Sequence, residues 1–141
     1  MAVTDQRHLR LLHPLHAILL AGTIPLFLGV LLSDIAYASS LEMQWKNFAS
    51  WLIVGGLVFG GFALLWALIG LLRAGGRDQG PVLYFILVLA TWILGFVNAL
   101  VHAKDAWASM PECLILSAIV AALAIAATGS GFFFLRARGL K

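Results

Sequence analysis

Four stretches of this chain carry no Asp, Glu, Lys or Arg: Leu11 to Ser33, Asn47 to Leu72, Gly80 to Ala103 and Cys113 to Leu135. A helix rising 1.5 Å per residue needs roughly 20 apolar residues to cross about 30 Å of hydrocarbon. Each stretch is long enough. Lipid cannot satisfy free backbone groups, so each is expected to be helical. The expected architecture is all-α: one integral membrane domain over residues 1–141, a four-helix up-down bundle with helices at roughly 12–36, 46–73, 81–104 and 112–136.

Composition agrees. Hydrophobic residues make up 62% of the chain and charged residues 11%, with mean hydropathy +1.01. A soluble domain carries about 25% charged residues and about 45–50% apolar ones. An ordinary soluble domain, a disordered chain and a disulfide scaffold are all excluded. The one cysteine, Cys113, has no partner for an intrachain disulfide. It reads as a small apolar residue near a helix start.

The connectors are short. Ser39 to Lys46 is polar; Arg73 to Pro81 is Gly-rich and ends on a helix-starting proline; Lys104 to Glu112 leads to Pro111. With the N-terminus cytoplasmic, Arg7, Arg10, Arg73, Arg77, Arg136, Arg138 and Lys141 lie inside, against Lys46 and Lys104 outside. The positive-inside rule then places both termini in the cytoplasm, as a multi-pass membrane protein. Trp45, Trp51 and Trp107 fall near the outer boundary, where amphipathic rings sit. Ala36-Tyr37-Ala38 resembles a signal-peptidase site, but the apolar run before it is longer than usual and Asp34 precedes it. The basic residues form no stripe with exposed aromatics, so nucleic acid is not an expected partner.

Polar residues within membrane helices usually face protein. His16 and Asp34 are five helical turns apart and share a face, with Thr23 near it and His13 one turn before His16. Pro25 predicts a bend in the first helix. In the third helix Tyr84, Thr91, Gly95, Asn98 and His102 form one stripe, either a polar route, a ligand site or hydrogen-bonding glue between helices. Gly56 and Gly60, and Ala118, Ala122 and Ala126, show the four-residue spacing of small residues that lets backbones approach, with packing inside the chain as the expected use.

The histidines raise the question of a cofactor. His13 and His16 belong at the inner end of the first helix and His102 at the outer end of the third, about 25–30 Å away. One haem b iron cannot span that distance within a chain. A haem on His102 with Met43 or Met110, or one shared between subunits, remains an alternative. His13 and His16 lack a third zinc ligand, and Cys113 and Glu112 lie on the other side, beside His102. No spacing matches a metal motif, so no metal is expected. At the outer end Asp34, Asn98 and His102 are expected at similar depth, with Asp105 and Glu112 close above. They are expected to form a polar cluster, one that docks a partner, relays protons or is simply solvated by headgroups at the boundary.

Two segments carry a family resemblance. One is His13-Pro14-Leu15-His16 leading into a helix with Pro25 in its middle and Asp34 at its end. The other is Val97-Asn98-Ala99-Leu100-Val101-His102-Ala103-Lys104-Asp105-Ala106-Trp107-Ala108-Ser109-Met110-Pro111. From about His13 to Arg136 the chain resembles the small bacterial inner-membrane proteins of domain-of-unknown-function family 2231. The resemblance implies a four-helix membrane protein without a settled activity. Members resemble partners of periplasmic sugar dehydrogenases. A likeness to di-haem cytochrome b561-like bundles is superficial, since the histidine placement departs from paired ligands at matching depth.

Nucleophile, phosphate-loop and metallohydrolase motifs are absent from the sequence. The expected function is a non-catalytic membrane subunit or anchor, serving a periplasmic redox enzyme through the Asp34, Asn98 and His102 cluster. Loss of Asp34 and His102 should then release the partner and leave the fold. The alternatives are a haem-bearing electron carrier and an oligomeric proton or ion pathway running between His16 and Asp34 or His102.

Overall fold

The computed structural model describes residues 13–75, 79–104 and 106–139, without the side chains of 106, 107 and 135–139. The expectations placed on Arg7, Arg10, Arg77, Asp105 and Lys141, and on the side chains of Trp107, Arg136 and Arg138, lie outside the described residues.

Four helices account for most of the chain: α1 (Pro14–Ser40), α2 (Met43–Arg73), α3 (Gln79–His102) and α4 (Glu112–Gly139). Each contains a segment long and apolar enough to cross a membrane. Pro14 opens α1 at its first turn, where a missing amide costs nothing. The helix then continues through Pro25, which lies on an exposed side, and through Ala36–Ala38 to Ser40. The connector expected over Ser39 to Lys46 shrinks to Leu41 and Glu42. Leu41 takes a left-handed conformation (φ 59°) and donates its N–H to Tyr37 O at 2.8 Å, which ends α1 and reverses the chain. Lys46 is therefore part of α2, and buried. A 3₁₀ turn at Ala106–Ser109 links α3 to α4.

Each helix packs on its neighbour in sequence, and α4 closes the ring against α1. Two side-chain contacts fix the directions of α1 and α3. His16 meets Tyr84 near their starts, and Asp34 meets His102 near their ends. The two helices run parallel, as an up-down bundle requires.

Large apolar side chains face outward on all four helices, among them Ile18, Trp51, Phe62, Ile86, Ile115 and Phe133. The interior combines a few large side chains with several alanines and valines. Phe27, Val30, Ala49, Ile53, Val120, Ala121 and Ala124 form one cluster, and Leu20, Ala63, Val88 and Ala127 another. This distribution suits a bilayer, where association depends on close packing because lipid is as apolar as the core. Phe27 shows the principle. Its ring lies where a Cβ on Gly56 would be 2.7 Å from it, and a Cβ on Gly95 3.3 Å. The phenyl ring thus fills the space left by two missing side chains. Gly56 and Gly60 are buried within the bundle, as expected. Ala118, Ala122 and Ala126 are not: all three are exposed. The buried stripe of α4 is instead Cys113, Ser117, Val120, Ala121, Ala124, Ala127 and Thr128, because α4 turns its few polar side chains toward the other helices.

Candidate functional site: a buried polar cluster at the end of α1 and α3

Asp34, Asn98 and His102 come together as expected, but they face inward. Their exposures are 1%, 0% and 5%. They offer no surface on which a partner could dock directly. The physical reason is that lipid offers polar side chains no partners, so each helix turns its polar stripe toward protein, while the parallel run of α1 and α3 brings the stripes to one depth.

The carboxylate of Asp34 is the hub. Its Oδ1 lies 2.8 Å from His102 Nε2, and its Oδ2 accepts a hydrogen bond from Ser117 Oγ at 2.5 Å. Asn98 Nδ2 donates to the same Ser117 oxygen at 2.8 Å. His102 Nδ1 lies 2.9 Å from the carbonyl of Asn98, one turn back in its own helix. A carbonyl only accepts, so Nδ1 carries a hydrogen and Nε2 is left to face Asp34. The network joins α1, α3 and α4. Asn98 Oδ1 is buried without a hydrogen-bond partner.

A second clasp brings in α2. The Lys46 ammonium donates to Lys104 O at 2.7 Å and to Ser109 Oγ at 3.2 Å, tying α2 to the connector between α3 and α4. Glu112, expected above the cluster, is exposed and pairs with Lys104 at 2.8 Å. Cys113 is buried and lies 3.4 Å from Met110 Sδ.

Serine, histidine and aspartate share this site, yet the order is wrong for a hydrolase. Nucleophilic activation needs the histidine between the serine and the carboxylate. Here the carboxylate stands between, and Ser117 donates to an acid residue. The ligand atoms of Asp34, His102 and Cys113 do lie within 4.8 Å of one another, which is close enough to consider a shared ion.

The opposite end is built from His16, Tyr84 and Trp66. His16 Nε2 lies 2.8 Å from the Tyr84 hydroxyl. Its ring stacks on Trp66 with centroids 5.4 Å apart, while exposed His13 lies 5.1 Å from the same indole. His16 and Asp34 are separated by five turns, about 27 Å along the axis. The two ends therefore cannot contribute to one haem. Of the two methionines expected as partners for a haem on His102, Met43 is exposed and Met110 Sδ lies against Cys113 Sγ.

Among the described residues no continuous polar thread joins the two ends. Thr23, Thr91 and Thr128 donate to the carbonyls of Leu20, Leu87 and Ala124 in their own helices, and Thr128 also reaches Leu20 O of α1 at 3.4 Å. Between them lies apolar packing around a void of about 10 Å³ lined by residues such as Phe27, Val88 and Trp92, on the order of one water. The polar stripe of α3 is thus two separate clusters.

Sequence reasoning missed Ser117 and Lys46, and placed Cys113 on the side of His102 without assigning it to the cluster. Cys113 and Ser117 are one turn apart on a helix otherwise lined with Ala, which was a readable signal. Lys46 carried none, since its charge resembled that of any connector lysine.

No curated protein and no solved structure matches the chain. A family model described as predicted membrane protein (DUF2231) matches residues 12–135. With that match spanning nearly the whole chain, and four membrane-length helices in the fold, the protein belongs to the DUF2231 family of predicted membrane proteins.

Proposed function

We propose that the protein is a non-catalytic membrane subunit or anchor, held in a bacterial inner membrane with both termini cytoplasmic and serving a periplasmic redox enzyme. One observation carries the reading. The described polar side chains of the bundle are largely engaged with one another or with its own backbone, and the surface left over is apolar with short connectors. Such a body suits a lipid-embedded scaffold.

In this reading the buried cluster acts on a partner indirectly, by fixing the connectors at its end. Glu42 and Glu112 are exposed there, and Trp45 and Trp51 stand exposed on the first turns of α2. These groups form the contact surface.

The test is photo-crosslinking in the native membrane with a crosslinkable residue at Glu42 or Glu112, paired with deletion of the gene. The expected result is one crosslinked protein bearing a redox cofactor, which leaves the membrane fraction in the deletion strain. Crosslinks to lipid alone, with no redox protein displaced, would refute the anchor. Proton or ion flux through liposomes of the pure protein, lost in His102→Ala, would move the assignment to a pathway.

A further inference from the structure

We propose that Asp34, His102 and Cys113 form a binding site for one divalent transition-metal ion of the zinc class. The three residues come from α1, α3 and α4, and their exposures are 1%, 5% and 2%. One ligand atom from each lies within 4.8 Å of the others. Tetrahedral ligands at 2.0–2.3 Å from an ion stand roughly 3.3–3.8 Å apart. Reaching that spacing requires the His102–Asp34 pair, 2.8 Å apart, to open and the more distant ligand atoms to draw in by side-chain rotation.

The surroundings of the three are arranged as those of ligands are. A metal-bound histidine normally donates its other ring N–H to a carbonyl or carboxylate, which fixes the ring. His102 Nδ1 does this toward the carbonyl of Asn98 at 2.9 Å and so turns Nε2 into the cluster. A ligating carboxylate is normally hydrogen-bonded in turn. Asp34 receives Ser117 Oγ on its Oδ2 and keeps Oδ1 on the side of His102. One further donor atom lies beside Cys113, and another belongs to a residue of the same polar network. Met110 Sδ lies 3.4 Å from Cys113 Sγ. Asn98 Oδ1 is fully buried and has no hydrogen-bond partner.

Donor chemistry and charge select the ion. A nitrogen, a thiolate and one carboxylate oxygen suit zinc or cobalt; magnesium and calcium require mostly oxygen. On binding, the ion replaces the proton between His102 Nε2 and Asp34 Oδ1 and the thiol hydrogen of Cys113, and both protons leave to solvent. One thiolate and one carboxylate then balance a divalent ion. The filled site is neutral, which a low-dielectric interior requires. A monovalent ion would leave a buried negative charge. This proposal does not depend on the anchor reading, since it concerns the isolated protein.

The experiment is titration of tag-free protein in mild detergent with Co²⁺, followed by Zn²⁺. We expect uptake of one Co²⁺ per chain, tetrahedral cobalt absorption and a thiolate-to-cobalt charge-transfer band. Zn²⁺ should abolish these signals and Mg²⁺ should not. The chain has one cysteine, so the band reports Cys113 alone. Cys113→Ser should lose the band and bind roughly tenfold or more weakly, with helicity and monodisperse elution unchanged. His13→Ala, which alters an exposed histidine elsewhere, should change nothing. Three results would each overturn the site: no stoichiometric uptake, uptake without the thiolate band, or equal binding by Cys113→Ser.

Discussion

Asp34 Oδ1 and His102 Nε2 meet at 2.8 Å across 68 positions of sequence, each side chain 2% exposed. Burial turns the sequence-based expectation around: this pair bears on the fold before it bears on any partner. Truncating His102→Ala leaves a buried carboxylate with only Ser117 for company. Removing one member of a buried pair costs about 3–5 kcal/mol, whereas replacing both with apolar residues is often close to neutral. The expected order of stability is wild type, then Asp34→Leu/His102→Leu, then His102→Ala. Reversible unfolding in mixed detergent micelles measures it. A His102→Ala variant as stable as wild type would show that the pair contributes nothing.

Glycine positions in α2 give a second, sharper test, because neighbours differ so much. A Cβ at Gly56 would fall 2.7 Å from the ring of buried Phe27, and one at Gly70 would meet nothing within 4 Å. Gly56→Ala must displace a ring wedged between helices, which typically costs about 1–3 kcal/mol. Gly70→Ala meets no obstacle and gains up to about 1 kcal/mol of helix propensity. Thermal unfolding followed by circular dichroism should move in opposite directions for the two. Equal shifts would mean that the Phe27 contact is looser than the structure has it.

How far the sequence discloses this molecule differs by level. Four charge-free runs leave a bilayer-spanning chain few options, so the helices and their number were legible. The shared face of His16 and Asp34, and the stripe from Tyr84 to His102, followed from helical period alone. What period cannot supply is rotation of one helix against another. Ala118, Ala122 and Ala126 had the right spacing for an interface, yet Ser117 and Thr128 determine which side of α4 turns inward. Lys46 was misplaced for a similar reason. A lysine near a helix start reads as solvent-facing until a carbonyl such as Lys104 O is known to lie within reach.

Lys46 supports a third prediction. Its ammonium, on a residue 8% exposed, holds the connector through Lys104 O and Ser109 Oγ. Lys46→Met keeps the apolar stem and removes both bonds. Hydrogen bonds from a charged donor contribute about 1.5–3 kcal/mol each at most, so the connector should loosen before the bundle does. Amide hydrogen exchange at Lys104, whose N–H bonds Val101 O at 3.1 Å, should accelerate severalfold while amides in the middle of α3 stay protected. Uniform acceleration along α3 would instead indicate that Lys46 supports the whole bundle.

The junction of α1 and α2 contains the fourth prediction, at a residue with no polar chemistry. Leu41 holds φ 59°, and its side chain is 56% exposed. A left-handed conformation costs an L-residue about 1–2 kcal/mol relative to glycine. Glycine also has more freedom to lose from the unfolded chain, about 0.4–1 kcal/mol. The first effect exceeds the second, and a half-exposed leucine gives up little packing. Leu41→Gly should therefore stabilise the protein by about 0.5–1 kcal/mol, the small difference of those two terms. Leu41→Val should do the reverse, because branching at Cβ makes positive φ worse. The backbone bond from Leu41 N–H to Tyr37 O, 2.8 Å long, survives both changes, so the comparison isolates backbone conformation. Unfolding midpoints in the order Gly above Leu above Val are the expected result. If Gly falls below Leu, the exposed side chain contributes more through its surroundings than its backbone strain costs.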